Sequence, residues 1–214
     1  MNKTNADYIM FCDQDDFWLP NKIEKTLSLM KKTETDKTIP VLIHTDLYVT
    51  NSDLEITCNS FFKYSHIKNE KSLNRAIVQN CVTGCSVMIN KALLNLAKIT
   101  DAKDVIMHDW WLYLIASAFG KIDFLNEPTL LYRQHENNSV GAKRHLFMSL
   151  SDMKNSIEKN LSQASSFYRT FEKMLSETQT QLFNDYTNIK KLCRLKRLFL
   201  LNYHKLYKYP LKKC

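Results

Sequence analysis

The segment Tyr8–Cys12, YIMFC, is an apolar run of strand length, and it passes without a spacer into Asp13-Gln14-Asp15-Asp16. A run of this kind packs on both faces, so it belongs inside a sheet rather than on a surface. The carboxylates that follow it must sit where the strand leaves the core. In open α/β sheets, ligands bind at the carboxyl edge of the strands. An Asp-x-Asp on an extended strand end turns both carboxylates to one side of the chain. Two or three hard oxygen donors of this kind suit Mg²⁺ or Mn²⁺ together with a diphosphate. The same residues also read as caps for the next helix, with their charge at its positive end.

The rest of the chain supplies the layers such a strand needs. Pro20 suits the first turn of a helix, and Ile23, Leu27 and Met30 give it an apolar stripe. Val41–Val49 reads as a strand, Leu73–Asn80 as helix, Cys85–Ile89 as strand and Lys91–Ala97 as helix. Asp109–Phe119 is apolar nearly all round, which predicts a buried helix ended by Gly120. Ile122–Leu125 and Thr129–Arg133 read as short strands broken by Pro128. Strands and helices alternate, which predicts an α/β layer structure. With three Gly and four Pro, the chain lacks the tight turns of an all-β fold.

The period changes after Gly141. Leu150, Met153, Ile157, Leu161, Ala164, Tyr168, Phe171, Leu175, Leu182, Tyr186 and Ile189 recur at steps of three, four or seven. This predicts a long amphipathic helix, or two in a hairpin, packed on the preceding body. The expected division is therefore 1–141 and 142–214.

Charge and cysteine usage narrow the class. The net charge is +8, but residues 186–214 carry seven Lys, two Arg and no acid, leaving residues 1–185 near neutral. Lys and Arg interleaved there with Leu192, Leu195, Leu198, Phe199, Leu201, Leu206 and Tyr207 fit an interfacial helix on an anionic membrane, although the apolar positions form no clean stripe. A solvated basic end of the helical hairpin is the plainer alternative. Nucleic-acid binding has the tail as its sole support and is not expected, because the body shows no nucleic-acid motif. No apolar run approaches the ~18 residues of a membrane span. The start, MNKTNADYIMF, has no signal-peptide pattern, so a cytoplasmic location is expected. The six Cys lack zinc spacing and are expected to be free thiols.

Three further segments carry side chains of chemical interest. Met107-His108-Asp109-Trp110-Trp111 places a carboxylate at a helix start beside two indoles, which suits a general base facing a sugar, or an ordinary cap. Tyr132-Arg133-Gln134-His135 ends a strand with a phosphate-binding cation and a metal-ligating imidazole, or a surface cluster. In Asn80-Cys81-Val82-Thr83-Gly84-Cys85, Gly84 permits close approach of backbone to a ligand, or a plain turn.

In their order, CDQDDFWLPNKIEK, HTDLYV, NCVTGCSVMINKALL and HDWWLYLIASAFGKIDFLNEPTLLYRQHENNSVG resemble family 2 glycosyltransferases. The likeness covers roughly residues 5–142 and is nearest the rhamnosyltransferase-like branch of bacterial surface-polysaccharide synthesis. It implies the C-terminal portion of a GT-A fold, followed by a helical C-terminal extension. It implies inverting, metal-dependent transfer of a sugar, with rhamnose a candidate, from a nucleotide-diphosphate donor to a glycan or lipid-linked glycan at the inner membrane face. On the same likeness Asp13, Asp15 and His135 would hold Mn²⁺ or Mg²⁺. Asp16, Trp18 and Arg133 would bind the donor, and Asp109 would be the base, oriented by His108. Asp46, Thr83, Gly84 and Trp110 would line the acceptor space. The family also has a nucleoside-binding portion ahead of the acidic loop, which residues 1–7 do not supply. That implies a separate N-terminal half, or a non-catalytic remnant.

Overall fold

A computed structural model describes residues 4–101, 105–134 and 150–206. Its sheet is built on two long parallel strands, β3 (Val41–Thr50) and β6 (Lys121–Arg133), in register from Val41 opposite Lys121 to Thr50 opposite Arg133. β5 (Met88–Asn90) pairs antiparallel with the start of β3, and β1 (Tyr8–Met10) pairs antiparallel with β5 at the edge. On the far side β2 (Phe17–Trp18) lies antiparallel to β6, while β4 (Ile56–Cys58) pairs with the end of β3. The order is β1-β5-β3-β6-β2, and the result is the mixed α/β architecture expected of a GT-A portion.

β3 holds the centre because VLIHTDLYVT is buried at every position except the half-buried Tyr48. Both its faces are covered, so no polar alternation is needed. β6 is one strand where two were expected. Pro128, which has no N–H to give, stands opposite Asp46, where the β3–β6 register shifts. The strand passes Pro128 by a bulge instead of ending there. β1 is shorter than the expected run and is half-buried, not buried.

Helices cover the two faces. α1 (Lys22–Thr33) packs on Val41, Ile43 and Met88 through Met30, with Tyr8 and Met10 alongside. Its buried positions are Lys22, Thr26 and Met30, one step round from the expected stripe, and Ile23 is 54% exposed. On the other face lie α3 (Leu73–Ala76), α4 (Lys91–Ala97) and α5 (His108–Phe119), against which Ile9 and Phe11 pack. α2 (Phe61–Ser65) sits beside β3, capped by Ser60. α3 is shorter than the expected helix. Residues 84–86 form a 3-10 turn ahead of β5 instead of strand.

Among the described residues the C-terminal part has three α-helices, not one or two: α6 (Leu150–Phe171), α7 (Glu177–Thr187) and α8 (Arg194–Tyr203). Ser176 and Gln179 form a reciprocal capping box that starts α7. Phe167 stands 5.4 Å from Trp111 of α5 and 5.2 Å from Phe183 of α7, so these helices share one core with the body. Full burial of each such ring stabilises by roughly 1.5–3 kcal/mol. His135, the boundary at Gly141, the Leu150 and Met153 side chains, and residues 207–214 with Tyr207 lie outside the described residues. Cys12, Cys58, Cys81, Cys85 and Cys193 are free thiols.

Two tests follow from this packing. A Cβ on Gly120 would lie 2.0 Å from the Pro40 carbonyl oxygen, which also accepts from Lys121 N at 2.8 Å. Gly120→Ala should therefore cost about 1–3 kcal/mol in urea denaturation; an unchanged midpoint would show that this corner can relax. His44 is fully buried, with the rings of Phe124 and Phe62 4.8 and 5.9 Å away, and burial pushes its pKa from 6.5 down to about 4. The unfolded chain therefore binds the proton more readily. His44 leaves stability intact above about pH 6.5 and erodes it as the pH falls toward 4, by about 2 kcal/mol between pH 7 and 5. In His44→Phe that part of the loss should vanish from urea midpoints taken across this range.

Candidate active site

After β1 the chain turns at Gln14-Asp15 instead of running on extended. Alternate residues share a side only in an extended strand. Across a turn, the residues three apart are the ones that meet. Asp13 accordingly converges with Asp16, not with Asp15, and the Cys85 thiol joins them, with ligand atoms of all three within 4.8 Å of one another. Asp16 Oδ1 accepts from the Arg133 backbone N–H at 3.3 Å. Its Oδ2 is buried and has no hydrogen-bond partner among the described residues. Burial pushes the Asp16 carboxyl up to about 6, the charges of Asp13 and Asp15 add to this, and Cys85 and the Arg133 N–H pull it back. Burial also raises the Cys85 thiol. Asp13 is exposed, so the cluster opens to solvent.

A buried cation faces these acids. Lys22 is fully buried, with its Nζ 5.0 Å from the centre of the Trp18 ring and 3.3 Å from Thr129 Oγ1. That hydroxyl is in turn 2.6 Å from Thr45 Oγ1. Burial pulls the Lys22 pKa down to about 8, while Cys85, Asp16 and Cys12 hold it up. The sequence reading missed this lysine, because a lysine in the first turn of a helix is normally solvated. Its signal was phase: Lys22, Thr26 and Met30 stand four apart on one face, and Thr26 Oγ1 bonds back to Lys22 O at 2.7 Å.

The turn at residues 84–86 joins the acids to the second motif. Ser86 N and Oγ both donate to Thr83 O, at 2.9 and 2.7 Å, which holds the turn tight. Cys85 reaches the acidic cluster, while a Cβ on its neighbour Gly84 would stand 2.8 Å from His108 Nε2. The ring of Phe11, just ahead of the acidic turn, lies 5.1 Å from the His108 ring. His108 is exposed and Asp109 is buried. Asp109 Oδ1 accepts from Trp110 N at 2.7 Å. Burial raises its pKa, against the pull of His108, the Trp110 N–H and Asn80. The indole of Trp110 is buried and donates to Ala76 O at 2.6 Å.

The other expected site residues have structural partners. Asp46 Oδ1 accepts from the backbone N–H groups of Leu47, Phe61 and Phe62 at 2.8, 2.9 and 3.4 Å, so it fixes the start of α2. Arg133 Nη1 donates to Ser52 O at 3.0 Å. The structure thus brings together Asp13, Asp16, Trp18, Gly84, His108 and Asp109. A cleft of about 570 Å³ lies at the opposite end of the sheet, between Tyr8, Pro40 and Leu96, away from both motifs.

Residues 1–95 match the family model described as glycosyl transferase family 2. The chain is also 29% identical over 145 residues to a dTDP-rhamnosyl transferase, RfbG, of Shigella flexneri. That match covers 64% of this chain and 46% of the relative, so the chain spans less than half of the relative's length.

The charge balance predicts how the site responds when its cation is removed. Lys22→Met should raise the Asp16 carboxyl above about 6, followed by carbon-detected NMR titration. An unshifted Asp16 would mean that the two groups are not coupled.

Proposed function

We propose that the chain is a family 2 glycosyltransferase and that it carries the metal and acceptor side of an inverting transferase. The observation that carries this reading is the single turn at residues 84–86, whose Cys85 meets the Asp13–Asp16 cluster while its Gly84 lies against His108 and Asp109. The donor is a nucleotide-diphosphate sugar, with dTDP-rhamnose the first to test, because the relative is named for that transfer. The acceptor is a hydroxyl of a growing glycan, free or lipid-linked, on the cytoplasmic side.

Asp109 is the general base. Its raised pKa makes it a better proton acceptor than an ordinary aspartate, and the exposed His108 beside it orients the incoming hydroxyl. The hydroxyl loses its proton to Asp109 as its oxygen attacks the anomeric carbon. The bond from that carbon to the phosphate oxygen breaks, and the nucleoside diphosphate leaves. Asp13 and Asp16 suit a divalent ion, since Asp16 Oδ2 is a buried carboxylate oxygen with no hydrogen-bond partner among the described residues. Mn²⁺ or Mg²⁺ bound there would neutralise the diphosphate. Lys22 supplies fixed positive charge on the protein side, and the Trp18 ring lies over it.

A second reading is favoured by β1. Tyr8 and Met10 pack on one face and Ile9 and Phe11 on the other, yet β1 pairs only with β5 among the described residues. A strand covered on both faces with one open edge accepts a further strand. Transfer would then need a separate N-terminal half, and the chain alone would be a non-catalytic remnant.

Calorimetry of the full chain with dTDP-rhamnose and Mn²⁺ separates the two readings, because a remnant binds no nucleotide sugar. Under the first reading, Asp13→Asn and Asp16→Asn should each weaken Mn²⁺ binding at least about tenfold. Asp109→Asn should slow transfer by roughly 10²–10⁴-fold and leave donor binding and melting temperature unchanged. If binding and stability fall together with rate, Asp109 is a cap and not a base.

A further inference from the structure

α8 turns its large apolar side chains outward. Leu195 is 79% exposed, Leu198 56%, Phe199 66% and Tyr203 64%. At about 100° per residue these four fall within one arc of roughly 140°. Arg194 lies just beyond one border of that arc and Lys196 just beyond the other. A mainly apolar arc that the tail sequence concealed appears once the helix is bounded by Arg194 and Tyr203, with Asn202 its one polar member.

The other side of α8 ties it to the body. His204 Nε2 is 2.9 Å from Asp185 Oδ2, and His204 O accepts from Asn74 Nδ2 at 2.9 Å. Leu201 packs on the core and Leu206 is buried. Arg197 donates to the carbonyls of Ile189, Lys190 and Leu192 at 3.2, 3.1 and 3.2 Å, which fixes the turn before the helix. The outward face is therefore held in place rather than left to fray, and the Phe199 and Tyr203 rings stack on it 5.9 Å apart.

Such a face needs a cover, and the charge pattern selects it. No acid occurs from Tyr186 to the chain end, against nine Lys and Arg. A nucleic acid would use the cations and leave Leu195, Leu198 and Phe199 in water. A protein partner would use the apolar arc and gain nothing from cations on both borders without an acid between them. An anionic leaflet uses both, with apolar side chains at the acyl boundary and Lys and Arg stems reaching back to the phosphates. Among the described residues no helix is long and apolar enough to cross a membrane. At about 15 Å, α8 would lie in the interface.

We propose that α8 is an interfacial docking helix that sets Leu195, Leu198, Phe199 and Tyr203 into an anionic lipid leaflet, with Arg194 and Lys196 on the headgroup phosphates. The inference rests on α8 alone and not on glycosyl transfer, and its test reads no activity. The full chain is floated with vesicles of phosphatidylcholine, alone or mixed with phosphatidylglycerol. It should float with the mixed vesicles, not with the neutral ones, and less so in high salt. The double variant R194Q/K196Q should weaken partitioning roughly 30-fold, at about fivefold for each cation near the leaflet. L198S/F199S should weaken it at least about tenfold with an unchanged melting temperature, since both side chains are exposed. Wild-type binding by L198S/F199S would overturn the proposal, reducing it to charge adsorption. Absence of flotation by the wild type would overturn it too, whether the face instead closes a dimer seen by light scattering or the tail instead retains a nucleic acid.

Discussion

A lysine ammonium shut away from water must find its counter-charge inside the fold, and Lys22 organises this protein on those terms. It stands at the first turn of α1, under the Trp18 ring of β2, on the Thr129 hydroxyl of β6 and opposite Asp16 of the acidic turn. Four elements from distant parts of the chain therefore meet at one charge. Burying either member alone would cost several kcal/mol. The charge of Asp16 in the turn between β1 and β2 favours the charged form of Lys22 and offsets part of that cost. Both pKa values stay displaced toward neutrality, Asp16 to about 6 and Lys22 to about 8, because burial disfavours both charged forms and the compensation is partial.

Much of the local structure was legible in the sequence. α4 forms where its pattern lies, because Asn90 Oδ1 accepts from Leu93 N at 3.0 Å and starts the helix. α5 starts one residue early and ends at Gly120, because the chain passes too close to Pro40 for any side chain. What was not legible depended on the partner strand. A proline marks a break in a lone strand, but Pro128 survives inside β6 because β6 itself bulges where it passes Asp46 of β3. The stripe on α1 was misjudged by one position because hydropathy excludes a lysine from a core, whereas Trp18 and Thr129 admit it.

The site shows the same division. The acidic loop, the Gly84 turn and the His108-Asp109 helix start were recognisable as motifs. Their pairing was not, since it depends on a turn at Gln14-Asp15 that exchanges Asp15 for Asp16 as the neighbour of Asp13. Cys85 enters for a similar reason. In sequence it is the residue after a glycine, while in space it is the third corner of the cluster. Asp46 looks like a lone carboxylate in a strand and is in fact committed to three backbone N–H groups.

The contact between Asp16 and the Arg133 backbone spans 117 residues. β1 waits for β5, and β3 waits for β6 before its long parallel ladder can form. No part of the acidic site has its final partners until most of the chain has been made. During synthesis the acidic turn, Lys22 and the thiol of Cys85 emerge early and stay hydrated, and they are desolvated together only when β6 slides in beside β3. Closure of such long loops comes late and slowly in folding. The site therefore cannot form as the acidic turn emerges and has to await β6.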